Sequence, residues 1–159
     1  MPNDWLPVPH YKQSADGQCL PACVRMVLAY LGRDLTESQV AKVLRSHTFG
    51  TPAPNIRHLE SLGLSVMFGQ MSLSRLRAYL QQGAPCIVFV QAADLPYSGV
   101  EGYHAVVVIG LGEHVVYIND PAFDTGPQSV PLDHFMLAWS EFEYECAIIM
   151  KSQVEPEPR

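Results

Sequence analysis

Up to residue 83 the chain mostly repeats its apolar positions at helical spacing; beyond residue 85 it changes to short runs rich in Val, Ile, Tyr and Phe. Between 19 and 31, Leu20, Val24, Val27, Leu28 and Leu31 share one face of a 3.6-residue period, and Gly32 stands where a helix-ending glycine belongs. Thr36-Glu37-Ser38-Gln39 is a capping box that predicts a second helix running to about residue 45. A third is predicted over 55–62, stopped by Gly63, followed by a short strand at 64–68. Ser72 caps a fourth helix that ends at Gly83. Strands follow at 86–91, 103–110, 114–118 and 144–151, with Gly110-Leu111-Gly112-Glu113 as the turn of a hairpin and a short helix near 133–139. Helices first and an antiparallel sheet second give an α+β layout, the helical part packed on the sheet.

Residues 1–12, with Pro2, Pro7 and Pro9, read as an extended arm. The tail from Ser152, with two Glu-Pro pairs, reads as frayed, so the expectation is one domain over 1–151 and a flexible tail over 152–159. Composition agrees with a single compact domain, since 48% of the 159 residues are hydrophobic and only 16% charged. A net charge of −6 without any basic run argues against nucleic acid as a partner. The longest apolar run, 84–90, is interrupted by Pro85 and too short for a membrane span. Met-Pro-Asn-Asp-Trp at the start has no positive region followed by an apolar core, which predicts no signal peptide and a cytoplasmic location. Four cysteines in a chain of this size are not a disulfide scaffold, and reduced thiols are expected.

One of those thiols is placed unlike the others. Cys19 stands where the Gln-Ser-Ala-Asp-Gly-Gln stretch 13–18 gives way to the first helix. The unpaired N–H groups and positive dipole end of a helix start favour a thiolate, which is the nucleophilic form. The bland alternative is a small buried residue, the usual fate of a cysteine. Cys23, Cys86 and Cys146, inside the helix or apolar strands, fit that alternative. A metal site on Cys19 and Cys23 lacks a second Cys or His pair at zinc-like spacing.

His104 opens a strand in which His104, Val106 and Val108 alternate with Tyr103, Ala105, Val107 and Ile109. It is either a satisfied core histidine or a general base leaning into a cleft from the strand's mouth. The other histidines, His10, His47, His58, His114 and His134, read as surface residues. Asp120, in Asn119-Asp120-Pro121, carries strong turn chemistry. The hairpin also brings it back beside His104, where a carboxylate fixes an imidazole tautomer. Gln13 is either an exposed loop side chain or an amide donor folded back to stabilise an oxyanion with the Cys19 N–H. Gly110-Leu111-Gly112 lacks the third glycine and the helix of a dinucleotide fingerprint.

Taken in order, Gln13, Cys19-Leu20-Pro21-Ala22-Cys23, Tyr103-His104-Ala105-Val106, Asn119-Asp120-Pro121-Ala122 and the Phe135…Trp139 pair resemble the papain-like cysteine peptidases of the bacteriocin-processing type, the double-glycine leader peptidases and their stand-alone relatives. The resemblance covers about residues 7–150. It departs from the family pattern at Leu20, where a glycine usually follows the nucleophile and where a leucine is expected to narrow or reshape the cleft. Gln18 replaces the usual acidic residue. The resemblance implies a papain-like fold with the active site between helices and sheet. Cys19 would be the nucleophile, His104 the base, Asp120 its orienter and Gln13 the oxyanion donor, with no metal or organic cofactor. The implied partner is a peptide or protein substrate, cut at a peptide or isopeptide bond. Two rivals use the same residues: an acyl-transferring, transglutaminase-like enzyme, and a pseudo-peptidase that binds without cutting. Cleft walls are expected in loops 47–55 and 92–102; Tyr97, Tyr103 and Trp139 either line the cleft or are core aromatics, the commoner role for such residues.

Overall fold

The computed structural model describes residues 4–97 and 102–152. Six strands form one antiparallel sheet: β1 (Leu64–Gln70), β2 (Cys86–Gln91), β3 (Tyr103–Leu111), β4 (Val115–Asn119), β5 (Gln128–Pro131) and β6 (Glu145–Lys151). Their spatial order is β1-β6-β2-β3-β4-β5. The α-helices are α1 (Cys19–Tyr30), α2 (Glu37–Val43), α3 (Leu73–Gln81) and α4 (Leu132–Ser140), and a 3-10 helix spans Ala53–Leu62. None of the helices among the described residues is long and apolar enough to cross a membrane. Of the expected tail, only Ser152 lies within the described residues.

The local signals act as anticipated. Arg33 N–H reaches Leu28 O at 2.8 Å and Gly32 N–H reaches Ala29 O at 3.0 Å, the paired bonds of a Schellman ending with Gly32 at positive φ. Thr36 and Gln39 cap α2 reciprocally, and Ser72 Oγ accepts from Arg75 N–H at the start of α3. Strand β5 was not expected: Gln-Ser-Val-Pro is polar at two of its four positions and ends in proline. It is recruited as an edge strand by pairing with β4, where a proline's missing N–H costs little.

The sheet is covered on both faces, because β3 alternates. Ala105, Val107 and Ile109 join Leu20, Val24, Leu28, Ile56 and Leu59 under α1 and the 3-10 helix. Val106 and Val108 join Leu76, Phe135 and Trp139 under α3 and α4. Helix α3 therefore covers the face opposite α1, although it belongs to the helical half of the sequence. Trp139 sits in this second core, fully buried and away from the cleft, the core alternative of its two expected roles; its indole N–H donates to Glu145 O at 2.9 Å. Burying each such large side chain contributes about 1.5–3 kcal/mol.

The N-terminal arm crosses the end of β3. Leu6 N–H donates to Ile109 O at 2.8 Å, and the Trp5 ring lies 4.9 Å from that of Tyr117. The crossing requires Gly110: a Cβ there would stand 2.5 Å from Asp4 O and 3.0 Å from Trp5 Cα. Since that neighbour is backbone, Gly110→Ala is expected to destabilise the protein by about 1–3 kcal/mol. Urea unfolding measures this, and an unchanged midpoint would show the arm to be loosely held.

Candidate active site

Helix α1 begins without a side-chain cap, and its third position, Pro21, has no N–H to offer. The N–H groups of Cys19 and Leu20 in the first turn are thus left without intrahelical partners. Two side chains of that turn diverge. Cys19 is half-buried and lines a cleft of about 720 Å³. Leu20 is 1% exposed and packs into the core, so it turns away from the cleft that it was expected to narrow or reshape. Cys23, one turn on, is buried and donates to Ala105 O at 3.3 Å. Burial, then the neighbouring charges of Cys19 and Asp120, push its thiol well above the ordinary value. All four cysteines are free.

The hairpin delivers Asp120 to His104. Asn119 pairs with Val107, so Asp120 comes opposite Val106, whose side chain points to the same face as that of His104. His104 Nε2 lies 2.7 Å from Asp120 Oδ1, with 14% and 3% of the two side chains exposed. The same oxygen accepts from Ala122 N–H at 3.0 Å, and Oδ2 accepts from the Tyr97 hydroxyl at 2.9 Å. Burial of His104 opposes its charge. Hydrogen bonds to Asp120 and Cys19, and the charges of both, outweigh burial and raise its pKa to about 10. For Asp120, burial pushes upward, but the hydrogen bond and charge of His104, Ala122 N–H and the Tyr97 hydroxyl hold it below the usual carboxylate value.

Gln13 also lines the cleft. Its backbone N–H donates to Pro121 O at 2.7 Å, which ties the loop before Cys19 to the turn after Asp120. Its Nε2 donates to Ala15 O at 2.9 Å, and a primary amide keeps a second N–H for another acceptor. The remaining wall comes from the turn His47–Gly50, closed by His47 N–H to Gly50 O at 2.9 Å and the reciprocal bond at 3.1 Å. Gly17 makes this approach possible: it has φ +85°, and a Cβ would stand 3.1 Å from Thr48 O. Phe49, at the tip, is 98% exposed and overhangs the cleft.

The four residues proposed from sequence thus line one cleft, and the expected loops 47–55 and 92–102 both contribute to it; residues 98–101 lie outside the described residues. Tyr97 and Tyr103 line it, the cleft alternative of their two expected roles. Of the histidines read as surface residues, His47 is exposed as expected and also lines the cleft, whereas His10 is partly buried with its Nε2 donating to Phe123 O at 2.7 Å. Sequence reasoning gave Tyr97 no polar partner, because a tyrosine's hydroxyl target in a loop depends on long-range placement. Phe49 belongs to the expected loop 47–55 but was not singled out in it, and Phe123 was not anticipated in the wall.

Three structural neighbours share this arrangement of elements. A protein from Bacillus anthracis described as a C39-like peptidase is 18% identical, with a TM-score of 0.75 over 94% of this chain and 98% of its own. A double-glycine-motif protease from an AMS/PCAT transporter, solved with its leader peptide, is 23% identical, with a TM-score of 0.73 over 94% and 96%. The peptidase domain of Streptococcus ComA, a bifunctional ABC transporter of a quorum-sensing pathway, is 18% identical, with a TM-score of 0.74 over 94% and 100%. Nothing among curated proteins matches the chain. The peptidase C39-like family model matches residues 5–147. With that match spanning nearly the whole sequence, the chain belongs to the peptidase C39-like family and is a cysteine peptidase.

Proposed function

We propose that the protein hydrolyses peptide bonds through Cys19, His104 and Asp120, with Gln13 and the Cys19 N–H holding the oxyanion. The observation that carries this reading is the 2.7 Å contact between His104 Nε2 and Asp120 Oδ1 at the mouth of the cleft that Cys19 lines. With Nε2 committed to the carboxylate, Nδ1 is the nitrogen left to exchange a proton with the sulfur. Cys19 Sγ attacks the carbonyl carbon, and its proton resides on His104. The oxyanion accepts from the Cys19 N–H and the second Gln13 amide N–H, each worth about 3 kcal/mol in such sites. His104 then protonates the departing amine nitrogen, the C–N bond breaks, and an acyl-thioester remains. Water attacks that thioester with His104 as base, releasing the carboxylic acid and the free thiol.

A peptide or protein segment is the substrate this cleft suits. The leader peptide held by the double-glycine-motif protease makes leader peptides the first class to test. Cleft walls of Phe49, Tyr97, Tyr103 and Phe123 favour apolar side chains beside the scissile bond.

Cys19→Ala is expected to abolish peptide cleavage without changing the circular dichroism spectrum, since no other side chain lining the cleft supplies a thiol. Iodoacetamide mapping near neutral pH should modify Cys19 first, because Cys23, Cys86 and Cys146 are buried. Full turnover by the variant, or faster labelling elsewhere, removes the nucleophile from the scheme. Phe49→Ala should leave stability unchanged and raise KM several-fold, roughly the cost of one lost apolar contact; an unchanged KM would place the substrate elsewhere.

The pair also sets a pH dependence of stability. His104 is raised from 6.5 to about 10 in the fold, so its contribution is complete below pH 6.5 and is lost as pH climbs through 10. Asp120 is lowered from 3.8, so its contribution is present above pH 3.8 and disappears as pH falls through its lower folded value. The stability margin of the wild type over His104→Ala is therefore greatest between pH 3.8 and 6.5 and shrinks towards pH 10. Urea titrations of both proteins across that range measure it. A margin that grows with pH would mean that the imidazole is neutral in the fold.

A further inference from the structure

Asp120 is 2% exposed, and its two oxygens are treated differently. Oδ1 receives both His104 and Ala122 N–H, whereas Oδ2 receives, among the described residues, the Tyr97 hydroxyl alone. An aspartate's terminal torsion is broad and nearly two-fold, so a carboxylate held at one oxygen swivels and exchanges the atom facing its partner. A bond to the second oxygen removes that freedom. We infer that Tyr97 is a positioning residue, whose hydroxyl locks the roll of the Asp120 carboxylate so that Oδ1 stays aimed at His104. This rests on the triad reading above and adds a residue to it.

The surroundings of Tyr97 support the role. Its ring meets Phe123 edge-on, with centroids 4.7 Å apart at 81°. Phe123 is carried by the turn that begins at Asp120, closed by Phe123 N–H to Asp120 O at 3.0 Å. One turn thus supplies the carboxylate, the Ala122 donor and the surface on which the tyrosine rests. On the other side, buried Leu95 anchors the segment, with its N–H on Ala92 O at 3.1 Å. Burial, then the charge of Asp120 and the hydrogen bond to it, raise the phenol's pKa, so the hydroxyl remains a donor. The titratable groups bearing on Asp120 are His104 from β3, Cys23 from α1 and Tyr97 itself. A tyrosine present only to fill space would have no need to turn its hydroxyl onto a buried carboxylate.

The test is the pH profile of Cys19 alkylation by iodoacetamide, read by mass spectrometry in wild type, Tyr97→Phe and His104→Ala. Tyr97→Phe keeps the ring and removes the donor. Its acid limb should move up by roughly half a pH unit or more, because the carboxylate loses one of the bonds holding it ionised. On a cleaved reporter peptide, kcat should fall about tenfold, with KM little changed. If Tyr97→Phe matches wild type in both, the proposal is overturned. If it fails to fold, 3,5-difluorotyrosine at position 97 replaces it: a more acidic phenol donates more strongly and should move the acid limb down, and no movement overturns the proposal. His104→Ala separates the two readings. If it too leaves the wild-type profile unchanged, the triad itself falls; if it alone changes the profile, only the role of Tyr97 falls.

Discussion

A carboxylate almost wholly removed from water is costly unless every face of it is answered, and Asp120 is such a group. Three donors answer it, from three separate places: His104 at the start of β3, Ala122 in the turn that follows β4, and Tyr97 in the loop after β2. This requirement fixes much else. The pairing of Val107 with Asn119 must hold, since a slip of one residue would turn either His104 or Asp120 to the opposite face. Asn119 itself is buried and donates to Val8 O at 3.1 Å, which binds the N-terminal arm to the same end of the hairpin.

Around that fixed point the two halves of the sequence divide the work. The helical half presents a sulfur at an uncapped helix start, and the sheet half presents the imidazole and carboxylate. The bonds from Gln13 N–H to Pro121 O and from Cys23 Sγ to Ala105 O join the halves beside the chemistry. Cys19 and Leu20, adjacent in sequence, face the cleft and the core respectively because successive helical positions are turned by about 100°. This is how a leucine is accommodated directly after Cys19: its bulk is spent inside the core.

The sequence made the elements legible wherever a local signal closed them. Gly32, the Thr36 box, Gly63 and Ser72 stand at the observed boundaries, whereas Gly110 and Leu111 still pair within β3 and the hairpin turn starts only at Gly112; the 3.6- and 2-residue periods identified which side chains meet. Candidate residues were legible for the same reason: Cys19 marks a helix start, His104 a strand start and Asp120 a strand end. Strand β5 was illegible because its pairing with β4, and not its composition, makes it a strand. Trp139 stayed open between cleft and core because helical spacing shows that a residue is buried without showing on which of two covered faces. Tyr97, His47 and Phe49 reach the cleft through tertiary placement of loops, for which no periodicity exists.

The arm that crosses Gly110 fixes where Asp4 and Trp5 stand. Gly110 and His104 lie six positions apart on one extended strand, a separation of about 20 Å. A fluorophore carried at Asp4 would therefore sit at the far rim of the sheet, clear of the mouth beside Cys19. Attachment at the His47–Gly50 turn would obstruct that mouth, which makes the two positions a ready pair for reporting occupancy by distance-dependent fluorescence.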